Sequence, residues 1–102
     1  MITIRFDNIK QCKIFFLLIN KEFGLMRSSI QEILLIPRTT IYDNLEKLMR
    51  KNYVQYYTKK TSKIGRPSVY FYINKKIKNL FYNDIIPSIE VNNKKLETSF
   101  LS

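Results

Sequence analysis

The sequence predicts an α+β domain, mainly α, and three observations carry that prediction. Apolar residues recur at helical spacing in four separate stretches. Two short runs rich in β-branched and aromatic residues, YVQYYT and SVYFYIN, follow the third of these stretches. Between the second and third stretches the only break is Pro37, which leaves room for no more than a tight turn.

Taken in order, MITIRF (Met1 to Phe6) alternates apolar and polar residues and reads as a short strand or arm. Asp7 can cap the next segment, where Ile9, Cys12, Phe16 and Ile19 share a helical stripe widened by Phe15, Leu17 and Leu18. So broad a stripe suits a helix that buries one side in its own core and another against a second subunit. Gly24 ends this region. Ser29-Ile30-Gln31-Glu32 has the form of a capping box, opening a short helix with Ile30, Ile33, Leu34 and Leu35 as its apolar positions. Pro37 stops that helix and starts the next at about Arg38. Ile41, Leu45, Leu48 and Met49 form the stripe of this third helix, and Asn52 supplies a left-handed stop. Two β runs then flank KKTSKIGRP, a basic loop longer than hairpins usually carry. Lys75 to Ile86 repeats the helical spacing through Ile77, Leu80, Phe81 and Ile85 until Pro87. The sequence therefore divides into a domain over residues 1–86, arm included, and a C-terminal tail over 87–102. Ile89, Val91, Leu96, Phe100 and Leu101 make that tail too apolar to be freely solvated, so it should dock or form a dimer contact. The order is that of a winged helix-turn-helix: a three-helix core, a β-hairpin wing and an additional C-terminal helix.

Composition narrows the function. At 102 residues, 45% hydrophobic and with 2 Gly and 3 Pro, the chain suits one folded domain with its own core. Its longest apolar run, Ile14 to Ile19, is too short to span a bilayer, and no secretory leader is expected. One Cys and no His fit a reducing cytoplasm and leave neither the usual zinc ligands nor the usual general base. The eight acidic residues are scattered, so no catalytic residue, metal or cofactor is expected and the chain does not read as an enzyme. With 18 basic residues and a net charge of +10, polyanions are the natural partners. Between Arg38 and Ser68 stand eight basic residues and only Asp43 and Glu46 to offset them, so the positive charge is focused on the third helix and the hairpin loop.

From Ser28 to Asn74 the chain resembles the winged-helix transcription regulators of bacteria and archaea, in the broad MarR, ArsR and PadR style. SSIQEILLIPRTTIYDNLEKLMRKNYV carries the likeness for the paired helices and IGRPSVYFYI for the wing. Asn52 stands where such proteins usually have glycine. The resemblance implies duplex DNA as partner, a dimer, and control of transcription. Richness in Ile, Lys, Asn and Tyr would suit an AT-rich genome, such as that of an archaeon or its virus, with the protein then in the host cytoplasm.

On a helical wheel, Ile41, Leu45 and Leu48 face the core, leaving Thr39, Asp43, Lys47 and Arg50 opposite, with Thr40 and Tyr42 on the flanks. Helix-turn-helix docking puts the start of the second helix of the pair against base edges in the major groove. The candidate contacts are therefore Arg38, Thr39, Thr40, Tyr42, Asp43 and Lys47. Arg38 could pair with a guanine edge, a threonine methyl could meet thymine, and Tyr42 could reach a phosphate or sugar. Asp43 could accept from cytosine or instead orient Arg38 or Lys47. Lys59, Lys60, Lys63 and Arg66 lie where a wing would touch the DNA backbone. Arg66, between Gly65 and Pro67, could enter a narrow minor groove or simply meet a phosphate. Ser28 and Ser29, at a helix N-terminus, could contact a phosphate or serve only as caps. The five tyrosines of the hairpin (Tyr53, Tyr56, Tyr57, Tyr70, Tyr72) read as cross-strand packing.

The reading that follows is a sequence-specific regulator of double-stranded DNA, a repressor by occlusion. It would be a homodimer through the first helix and the C-terminal segment, with no membrane association. At this length no separate ligand domain is expected. The alternatives are a winged-helix protein-interaction module, and a replication or architectural module that binds DNA without sequence preference. A ribbon-helix-helix built on MITIRF would leave the hairpin without a role.

Overall fold

The computed structural model describes residues 3–60, 65–83 and 87–95. Its elements run β1 (Thr3–Phe6), α1 (Ile9–Ile19), α2 (Arg27–Leu34), α3 (Arg38–Arg50), β2 (Val54–Lys59), β3 (Ser68–Ile73), α4 (Lys75–Tyr82), β4 (Ser88–Val91) and β5 (Lys94–Lys95). This is the winged helix-turn-helix expected from the order of the sequence, with α2 and α3 as the paired helices and β2–β3 as the wing.

Local chemistry explains most boundaries. The cap of α1 is Asn8 rather than Asp7: the Asn8 side chain accepts from the Gln11 N–H at 3.0 Å. Asp7 instead accepts from Lys51 Nζ at 2.9 Å, and that bond, with a second from Gln11, holds its carboxyl below the ordinary value. The capping box at Ser29 does not form. Leu25 is bridged to Phe71 by two backbone hydrogen bonds of 2.9 and 2.8 Å, which keeps the chain extended into Met26. The helix can then begin at once, at Arg27, and both serines fall inside its first turn. Leu35 stops α2 in the left-handed region (φ 55°), one residue earlier than Pro37 alone would require. Leu35 is 86% exposed and Ile33 is exposed too, so of the apolar positions read for this helix only Ile30 is fully buried. Asn52 takes its left-handed place at φ 62° as expected.

The core is continuous from β1 to β4. Ile14, Phe15 and Leu18 of α1, Ile30 of α2, and Ile41, Leu45 and Leu48 of α3 meet Val54, Phe71 and Ile73 of the wing and Ile4, Phe6 and Ile89 of the second sheet. In the wing Val54 faces Ile73, Tyr56 faces Phe71 and Thr58 faces Val69. Tyr57 stacks on its partner Tyr70 at 5.3 Å and donates to the Phe23 carbonyl at 2.7 Å, a cross-strand packing, whereas Tyr56 is exposed. The stretch after Pro87 supplies β4, which pairs in parallel with β1 and turns through Asn92 and Asn93, both at positive φ, into β5. Arg5 and Glu90, opposite one another in that register, form an ion pair of 2.8 Å. Ile85, Leu96, Phe100 and Leu101, read from the sequence as apolar anchors, lie outside the described residues. No helix among the described residues is long and apolar enough to cross a membrane.

Cys12 is 2% exposed, and burial pushes its thiol up to about 11. The thiolate is the reactive form, so iodoacetamide at mildly alkaline pH should leave Cys12 unmodified in the native protein and alkylate it fully in denaturant. Rapid labelling of the folded chain would contradict the packing of α1 described here.

Candidate nucleic-acid interface

Helix α3 presents the candidate face, and its angle is set from behind by a polar cluster. Asn44, 3% exposed, lies on the buried side of α3 beside Ile41, Leu45 and Leu48. Its carbonyl oxygen accepts from Asn8 Nδ2 at 3.1 Å and from the fully buried Gln11 Nε2 at 3.2 Å, and its own amide donates to the Thr40 carbonyl at 2.9 Å. An apolar contact could slide, whereas these directional bonds fix where α3 sits along α1. At the other end, Lys51 Nζ donates to the Arg5 carbonyl at 3.0 Å as well as to Asp7, tying the exit of α3 to the arm.

On the outward side Arg38, Thr39, Tyr42 and Asp43 are exposed and Thr40 is half-buried. Asp43 pairs with Lys47 one turn on, at 3.2 Å, and Glu46 pairs with Arg50 at 2.5 Å. Both pairs are mostly exposed and contribute little stability. Their effect is on the field: the second half of the helix is largely self-neutralised, and its positive end is the first turn. Of the two roles read for Asp43, the geometry is that of an orienter of Lys47. Lys47 itself is half-buried and drawn along the helix rather than outward.

Arg27, on α2, lies outside the basic run from Arg38 to Ser68 that the sequence makes conspicuous. Its Cζ lies 3.4 Å from the centroid of the Tyr42 ring, a stacking contact, while Arg38 Cζ lies 5.8 Å from the same centroid. Burial first, and the Arg38 guanidinium second, hold Arg27 below the usual arginine value. Its position immediately before Ser28-Ser29, at the start of a predicted helix, was the signal that could have found it. Arg27, Ser28, Gln31, Arg38, Pro67 and Val69 border one groove of about 350 Å³. The first turns of α2 and α3 and the base of the wing thus converge on a single concave positive surface.

In the wing, Lys59, Lys60 and Arg66 are exposed, and Gly65 has φ 132°, a conformation that side chains resist. Lys63 lies outside the described residues. Ser28 is exposed beside the groove, whereas Ser29 is half-buried. Elsewhere, Ile9, Phe16 and Leu17 of α1 line, with Leu34 of α2, a largely apolar cleft of about 390 Å³. Among the described residues no three carboxylate or thiol groups converge as a metal site would require.

Residues 10–76, well over half of the chain, match the family model described as "Sugar-specific transcriptional regulator TrmB". No curated protein matches the chain.

Proposed function

The chain belongs to the TrmB family, whose members are DNA-binding winged helix-turn-helix regulators of transcription, and from that premise we propose that it is a sequence-specific repressor acting as a homodimer in the cytoplasm. Helix α3 enters the major groove with Arg38 and Thr39 toward base edges and Thr40 and Tyr42 at the flanks, while Lys59, Lys60, Lys63 and Arg66 of the wing follow the backbone or the adjacent minor groove. Ser28 and Ser29 approach a phosphate from the start of α2. Asp43 contributes by holding Lys47. The observation that carries this reading is the convergence of the two helix starts and the wing base on one groove whose arginines have no acidic partner among the described residues. The apolar cleft on α1 and α2 supports a second copy docking through the first helix. Repression then follows from occupancy: a bound dimer blocks polymerase.

Selection of bound sequences from a random duplex pool, followed by affinity against log salt, tests this. The selected sites should contain two related half-sites about 10 base pairs apart, and the salt slope should be clearly negative. Arg38→Ala should lower the preference for selected over random DNA by about 1–3 kcal/mol, the worth of a bidentate base contact. A pool that never converges, with equal affinity for all duplexes, would favour the architectural alternative. A slope near zero would remove DNA binding altogether.

A further inference from the structure

Arg27 and Arg38 approach the same tyrosine ring, and their arrangement is unbalanced. The ion pairs among the described residues involve Arg5, Lys47, Arg50 and Lys51, and neither Arg27 nor Arg38. Nor does either guanidinium donate a hydrogen bond to another described residue. The nearest acid on α3, Asp43, is engaged with Lys47. Two cations are thus held near each other, one of them partly withdrawn from water, with donors unused. Stacking at 3.4 Å lays the Arg27 plane against Tyr42, so its N–H groups point outward along that plane instead of into the ring. The groove they border also carries the Ser28 hydroxyl and the Gln31 amide. A planar fork of donors with a hydroxyl beside it matches the two free oxygens of a phosphodiester.

From this geometry we infer that Arg27 is a phosphate anchor: mounted on Tyr42, it grips one backbone phosphodiester and sets the depth of α3, leaving Arg38 free for a base edge. The inference rests on the DNA-binding reading above and adds to it a residue from outside the recognition helix. It also gives Tyr42 a different task, as the platform for Arg27 rather than a contact of its own.

Variants of the full chain and a selected duplex test this. Arg27→Ala should bind roughly ten- to a hundredfold more weakly, the loss of one charge-assisted hydrogen-bonded contact. Its salt slope should be lower than wild type by about 0.9, one phosphate fewer. Arg27→Lys keeps the charge and should keep the slope while losing part of the affinity. Tyr42→Ala removes the ring on which Arg27 stacks and should weaken binding in the same direction as Arg27→Ala. Duplexes carrying one neutral methylphosphonate at successive positions locate the contact. At a single position the substitution should weaken wild type and leave Arg27→Ala unaffected. Melting temperatures of the variants should stay within a few degrees of wild type, since Arg27 and Tyr42 lie at the surface. Arg27→Ala with an unchanged slope, and the same methylphosphonate profile as wild type, would overturn the anchor. Wild-type protein with no DNA affinity would instead overturn the functional reading beneath it, so the two failures are distinct.

Discussion

Phe15→Ala is expected to lower the unfolding free energy by about 3–5 kcal/mol, the largest single loss the fold predicts. The side chain is fully buried on α1 and meets Phe6 of β1 at 5.1 Å, Phe16 at 5.2 Å, Phe81 of α4 at 6.1 Å and Tyr53 before β2 at 6.2 Å, ring to ring. The arm, the first helix, the entry to the wing and the last helix therefore meet around one ring. Removing it opens a cavity whose walls belong to four elements, and no one of them can collapse without dragging another. For a domain of this size the melting temperature should fall by roughly 15 °C or more. Urea unfolding would measure the change directly. A loss below about 1 kcal/mol would mean that these elements do not share a core.

Gly24→Ala should cost about 2–4 kcal/mol, for a different reason. Gly24 sits at φ 78°, where a side chain is strained, and an added Cβ would stand 2.3 Å from the Phe71 carbonyl oxygen and 2.9 Å from its carbon. Those are backbone atoms, and Phe71 is pinned by its two hydrogen bonds to Leu25. The clash can be relieved only by opening that bridge, which is also what holds the extended approach to α2. DNA affinity should fall along with stability, since the same bridge joins the start of α2 to the wing. A variant with near-native stability would show that the approach of these two segments is looser than described.

What the sequence made legible, and what it did not, divides by range. The buried stripe Ile41, Leu45 and Leu48 and the left-handed Asn52 depend on neighbours a few residues away, and a periodic pattern records such neighbours. The order of helices and hairpin was readable for the same reason. Asn44 and Gln11 look like surface residues because their type is polar. They share one hydrogen bond, and Asp7, Asn8 and the Thr40 carbonyl satisfy the rest, and a pairing across helices leaves no periodic trace. The capping box failed for a similar reason: the segment before α2 is held extended by Phe71, far along the chain, so the helix begins before the serine chosen to cap it. At the candidate interface Lys47 is half-buried, while the exposure of Thr39, Asp43 and Arg50, on the same face, followed from the wheel. The place of Arg27 did not, since its meaning comes from Tyr42 on another helix.

The parallel pairing of β1 with β4 has a consequence for how the chain is made. Arg5 and Glu90 are partners 85 positions apart, so β1 waits for a strand synthesised long after it. Helices α1 to α3 and the wing can assemble from contacts made within the earlier stretch. Ile4 and Phe6 have no Ile89 beside them until β4 has been synthesised, and pairing over such a span is slow to form. During that interval β1, with Ile4 and Phe6 not yet covered by Ile89, keeps an open edge to which other unfinished chains can add.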